Sequence, residues 1–139
     1  MLQHTTEIRV RYDECDPMGL VHHSNYLRYF EIARTDLLRA SGGRYRDMES
    51  AGQFVVVASI QCKYRMPARY DDVIDVHTRI AKVTAAKIIH DYSITRGEDV
   101  LVTATVTLAV IDRNGRLQRV PDDLVQAYES GTGGSERVV

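Results

Sequence analysis

Asp13, Cys15, Asp16, His22 and His23 stand close together in the stretch YDECDPMGLVHHSNYLRYFEIARTDLLRASGG, residues 12–43, with Pro17 and Gly19 between them. The stretch begins as a loop dense in titratable groups and continues as the strongest helical pattern in the chain. Such a loop brings its side chains to the unsatisfied amide N–H groups and positive dipole end of the helix, a place suited to a developing anion. Other readings of the same residues stay open. Cys15 followed by two histidines permits a cysteine hydrolase, although no known nucleophile context surrounds it and a small buried residue is the simpler role. Asp13, Asp16, His22 and His23 permit a metal site, although their spacing matches no standard ligand pattern. Asp16-Pro17-Met18-Gly19 is also an ordinary turn sequence.

The helix must position these groups. Tyr26, Phe30, Ala33, Leu37 and Ala40 recur at steps of three and four, while Arg28, Glu31, Arg34 and Arg39 fall largely elsewhere around the wheel. Ser24 or Asn25 can cap its start and Gly42-Gly43 can stop it, so a helix is expected from about residue 24 to about residue 41. Its apolar stripe requires a sheet.

The rest of the chain supplies one. Ile8, Val10 and Tyr12 alternate with charged residues as a half-buried strand entering the loop. Residues 44–53 read as polar and irregular. Phe54–Tyr64 places Phe54, Val56, Ala58, Ile60, Cys62 and Tyr64 on one face of a second strand, which Pro67 stops. Further strands are expected at Val73–Val83, after Thr84-Ala85 with Ile88, His90, Tyr92 and Ile94 on one face, and at Val100–Ile111 beyond a Gly97 turn. Twelve residues of strand span roughly 40 Å, and a strand that long curls around something. Asn114-Gly115 is a turn signal, Pro121-Asp122-Asp123 opens a short terminal helix containing Leu124, Val125 and Tyr128, and residues 130–139 read as a flexible tail. The expectation is a single α+β domain over residues 1–129, a five-stranded antiparallel curled sheet around one central helix.

With 139 residues the chain can bury a core without staples. A net charge of −1, from 18 basic and 19 acidic residues, gives no global attraction to nucleic acid or an anionic membrane, so neither is expected as a partner. Cys15 and Cys62 form no disulfide framework, the first residues enter strand pattern without a signal-peptide h-region, and no run approaches a membrane span. A cytoplasmic protein is expected.

The residues then carry a family. R-V-x-Y-x-x-x-D-x-x-G-x-x-x-H-x-x-Y followed by E-x-A-R stands here as Arg9, Val10, Tyr12, Asp16, Gly19, His23, Tyr26, Glu31, Ala33 and Arg34. It resembles the hotdog-fold acyl-CoA thioesterases of the 4-hydroxybenzoyl-CoA thioesterase and YbgC type, over residues 7 to about 128. The segment YRMPARYDD, residues 64–72, is similar to that family's second signature. Within the resemblance Asp16 falls on the catalytic carboxylate and His23 on a position where YbgC-like members carry histidine, which makes the chain look closer to that branch.

The resemblance implies hydrolysis of an acyl-CoA or acyl-carrier-protein thioester. Asp16 would act as general base or nucleophile, amides near His23 and Ser24 would hold the oxyanion, and His23 would orient the carbonyl or water. Gly19 would let backbone approach the thioester. Thiolate leaves readily, so no metal or other cofactor is expected. Tyr26 and Tyr12 could line an acyl pocket, but both sit in apolar patterns that also suit a core. Glu31, near Arg28 and Arg34, reads as one member of an ion pair rather than the helix-borne acid of another hotdog branch. Lys63, Arg65 and Arg69, and separately Arg113, Arg116 and Arg119, are candidate contacts for phosphates or simply a solvated face. A homodimer or homotetramer is implied, since a lone curled sheet leaves open edges. A non-hydrolytic acyl-thioester-binding module on the same scaffold is the competing function.

Overall fold

The periodic stripe beginning at Tyr26 forms the central helix α1, Ser24–Ala40, in a computed structural model that describes residues 1–131 and the backbone of residues 133–137. Tyr26, Tyr29, Phe30, Ala33, Leu37 and Leu38 are its buried apolar residues. They lie on the concave face of a sheet containing β1 Gln3–Arg9, β2 Phe54–Tyr64, β3 Val73–Val83, β4 Ile88–Arg96 and β5 Asp99–Ile111. Val76 and Ile80 of β3, Tyr92 and Ile94 of β4, and Ala104, Val106 and Leu108 of β5 face that helix as one buried core. Phe30 stacks on Tyr92 with ring centroids 4.5 Å apart.

The strand order is β2-β5-β4-β3-β1, all antiparallel. Each of three pairings carries one extra residue: Ala58 in β2, Ala81 in β3 and Leu101 in β5. Bulges of this kind bend a strand and increase its twist, which curls the long strands around α1. The Ala58 bulge also resets which side of β2 faces inward. Val55 and Cys62 would point to opposite faces of an unbroken strand, yet both pack against the core. The single face expected from Phe54 to Tyr64 therefore does not exist.

Several further elements differ from the expectation. Residues 44–53, read as irregular, contain the single-turn helix α2, Tyr45–Ser50. β1 ends at Arg9, so Tyr12 leaves the strand, opens a 3₁₀ turn at Tyr12–Glu14 and is 80% exposed rather than buried. Two strands join the expected five: β6, Leu117–Gln118, beside β5, and β7, Gly133–Arg137, parallel to β1. The segment read as a tail thus carries a strand. Helix α3, Asp122–Ser130, follows Pro121 and buries Leu124 and Tyr128.

Candidate active site

The loop entering α1 is held against a distant segment. Leu20 and Arg69 form an antiparallel bridge, the Val21 amide donates to the Ala68 carbonyl at 2.9 Å, and the Tyr70 amide donates to the Gly19 carbonyl at 3.0 Å. The two sequence signatures, about fifty residues apart, are therefore zipped together. Asp72 secures the second of them, accepting from the Arg69 amide and the Arg96 guanidinium, both at 2.8 Å. Tyr26 joins both to the helix: its ring is 3% exposed and its hydroxyl accepts the Ala68 N–H at 3.0 Å.

Between loop, helix and second signature lies a cleft of about 320 Å³ lined by Asp16, Leu20, Val21, His22, His23, Tyr26, Tyr64, Arg65, Met66 and Pro67. Asp16 is fixed within it. Its Oδ1 accepts the amides of Met18 at 2.8 Å and Leu20 at 3.1 Å, its own amide donates to Leu20 at 2.8 Å, and its carbonyl accepts from Gly19 at 2.9 Å. The same contacts that make the sequence an ordinary turn thus orient the carboxylate. Oδ2 has no hydrogen-bond partner among the described residues. Gly19 has φ +78°, a conformation that favours glycine, but a Cβ there would meet nothing within 4 Å. The backbone angle, not crowding, calls for glycine.

At the start of α1 the first turn holds no acidic residue, so its positive end is not neutralised by its own sequence. His23 takes the N-cap position without a side-chain cap, and Ser24 is the first helical residue. The cap comes from His22 instead: its Nδ1 lies 2.8 Å from Ser24 Oγ and accepts the Ser24 amide at 3.3 Å. An amide only donates, so Nδ1 is the acceptor and a neutral His22 carries its proton on Nε2. The two imidazoles lie against one another, centroids 4.3 Å apart. The His23 amide donates to no protein acceptor among the described residues.

Of the residues singled out from the sequence, the cleft brings together Asp16, His23, Tyr26 and Arg65. Gly19, Ser24, Lys63 and Arg69 do not line it: the Gly19 carbonyl accepts the Tyr70 amide, Ser24 opens α1 against His22, and Lys63 and Arg69 are exposed. His22, which the sequence offered only for the cysteine-hydrolase and metal readings, also lines the cleft, as do Tyr64, Met66 and Pro67. The last three sit in the second signature segment, which marked them as a group without showing which side chains face inward. Glu31, 70% exposed, lies 4.0 Å from Arg34, as an ion pair requires, but Arg34 is only 12% exposed and reaches the hydroxyls of Tyr45 and Tyr92. Its guanidinium offsets part of the rise that burial imposes on the Tyr45 and Tyr92 hydroxyls.

The competing chemistries find little support. Burial, with Glu14 and Asp16 nearby, pushes the Cys15 thiol up, away from the thiolate a nucleophile needs. No group of three His, Cys, Asp or Glu able to hold a metal exists among the described residues. A larger hollow of about 580 Å³ lies over β1, β3 and β4, where Thr5 is engaged with His77 and Arg79 with Asp91. It contains no part of either signature.

A family model described as the thioesterase-like superfamily matches residues 10–128. The chain is 33% identical over 106 residues to the acyl-CoA thioesterase YbgC of Haemophilus influenzae, covering 76% of this chain and 78% of that protein. It is 28% identical over 103 residues to the acyl-CoA thioester hydrolase YbgC of Escherichia coli O157:H7, covering 74% and 77%. The crystal structure of DHNA-CoA thioesterase from Staphylococcus aureus superposes with a TM-score of 0.88 at 29% identity, covering 93% of this chain and 90% of that one. With the curled sheet around α1 and the two joined signatures, these matches place the chain in the thioesterase-like superfamily, as a hotdog-fold thioester hydrolase.

Proposed function

We propose that the protein is an acyl-CoA thioesterase with Asp16 as its catalytic carboxylate. The observation that carries this reading is the Asp16 side chain, held by two amides through one oxygen and lining a cleft at the uncompensated start of α1. A thioester carbonyl seated near the His23 amide would develop negative charge where an N–H and the helix dipole favour it. As general base, Asp16 takes a proton from water as the water oxygen bonds to the acyl carbon. Collapse of the tetrahedral intermediate breaks the C–S bond, and the sulfur leaves as thiolate, later protonated by solvent. As nucleophile, Asp16 forms a mixed anhydride that water then hydrolyses. Both routes give free acid and thiol. His23 on the cleft wall would orient the carbonyl or the water, and Tyr64 and Met66 offer apolar surface to the acyl group.

The names of the YbgC relatives support CoA as the carrier, with an acyl-carrier protein as the alternative. Arg65 at the cleft, with Lys63 and Arg69 nearby, is suited to phosphate oxygens. Two free cysteines and the absence of a helix long and apolar enough to cross a membrane among the described residues fit a cytoplasmic setting. β2 is a terminal strand whose Val57 and Ile60 are 44% and 37% exposed, which fits pairing with a second copy. The test is a panel of short, long and aromatic acyl-CoA thioesters, followed with a thiol reagent, on wild type and Asp16→Asn. The reading requires thiol release by the wild type that is lost in the variant. Binding without turnover by the wild type would favour a non-hydrolytic module.

A further inference from the structure

Glu14 donates its own amide to the Arg11 carbonyl at 3.1 Å and accepts four further hydrogen bonds, each from a different part of the candidate site's frame. Its carboxylate Oε1 accepts the Arg11 amide at 2.7 Å and the Tyr29 hydroxyl at 2.9 Å. Its carbonyl accepts Asn25 Nδ2 at 2.8 Å and the His22 amide at 3.0 Å. One residue thereby ties the chain leaving β1 to the returning limb of the loop and to the first and second turns of α1. The helix partners are firmly seated, Tyr29 at 0% exposure and Asn25 at 9%. Asp16 lies two peptide units further on, and Cys15 between them is bridged to Val21. A shift of Glu14 therefore carries Asp16 with it, relative to the helix amides.

We infer that Glu14 is a positioning residue for Asp16, setting the distance between the carboxylate and the start of α1 through Tyr29 and Asn25. This rests on the reading of Asp16 given above. The chemistry of the contacts separates positioning from proton transfer. Both donors to Oε1 are neutral, and an amide oxygen accepts from an N–H and an O–H as a carboxylate oxygen does. The role requires shape and acceptor capacity, not charge. Burial and the Glu14 carboxylate both raise the Tyr29 hydroxyl, which keeps it a donor. Loss of the clamp releases the loop, and misplacement of a reacting group by about 1 Å costs on the order of 100-fold in rate.

The test compares Glu14→Ala, Glu14→Gln and Tyr29→Phe with wild type and Asp16→Asn, measuring kcat and KM for the best acyl-CoA substrate well below each melting temperature. Glu14→Ala and Tyr29→Phe should lose roughly 10- to 100-fold in kcat with KM within about threefold, and Glu14→Gln should recover most of that loss. Tyr29→Phe deletes one hydroxyl and serves if Glu14→Ala does not fold. The inference is overturned if Glu14→Gln is as impaired as Glu14→Ala, which would make the charge itself essential, or if Tyr29→Phe keeps wild-type kcat. A rate that survives Asp16→Asn sinks the parent reading instead, and this inference with it.

Discussion

Asp16 and Tyr26 show how single side chains in this protein serve the fold and the site at once. The two amides on Asp16 Oδ1 shape a turn and aim a carboxylate, and the Tyr26 hydroxyl satisfies the Ala68 N–H while its ring lines the cleft. Tyr26→Phe leaves that buried amide without its acceptor, and an unsatisfied buried donor costs about 1–3 kcal/mol. Denaturant unfolding should show a loss of that size. A variant as stable as wild type would mean that the second signature is held without this bond. Some features were legible from type and spacing: the turn at Asp16-Pro17-Met18-Gly19 forms, and the loop before α1 sets Asp16 and His23 on one cleft. Side-chain direction was not legible. His22, offered by the sequence only for a cysteine-hydrolase or metal site, proves to cap α1 through Ser24, and Arg34, read as an ion-pair partner of Glu31, turns inward beside Tyr45 and Tyr92.

At the scale of elements, helix α1 was readable because seventeen residues give enough turns for a stripe to stand out. α2 was not, because six residues hold less than two turns. The Ala58 bulge hid the true inner face of β2 by breaking the alternation on which that reading depended. β4 kept its alternation, and it buries His90 completely between Tyr92 and Tyr128. Burial, with a smaller contribution from the Arg34 charge, pushes His90 down to about 3. An unfolded histidine titrates near 6.5, so between about pH 3 and 6.5 the unfolded chain binds a proton that the native protein refuses. This contribution to stability is complete above pH 6.5 and is lost as pH falls. From pH 7 to pH 4.5 it amounts to about 2–3 kcal/mol. Urea unfolding at the two pH values should show that loss, and His90→Leu should shrink the difference. An unchanged difference in the variant would place the titrating group elsewhere.

For the whole molecule, the sheet's order leaves β2 with a free edge and exposed apolar residues, a combination that natural sheets usually cover. Light scattering should give two or four times 15.7 kDa for the wild type, and Ile60→Lys should lower it. A monomeric wild type would contradict pairing through this edge. The overall architecture was readable from the order of its patterns, whereas β7 was not, since its partner β1 lies more than 120 residues away and its glycines signal no strand. The cleft depends on the same long-range closure, because Asp16 and Arg65 meet only when the sheet has curled around α1. The most direct measurement is the steady-state rate of thiol release from an acyl-CoA thioester by Asp16→Asn. Asparagine retains an oxygen that can accept the Met18 and Leu20 amides, so the fold should remain and the melting temperature should stay close to wild type. A fall in kcat of roughly 100-fold or more is expected. A folded Asp16→Asn protein that hydrolyses at the wild-type rate would contradict a carboxylate mechanism at this site.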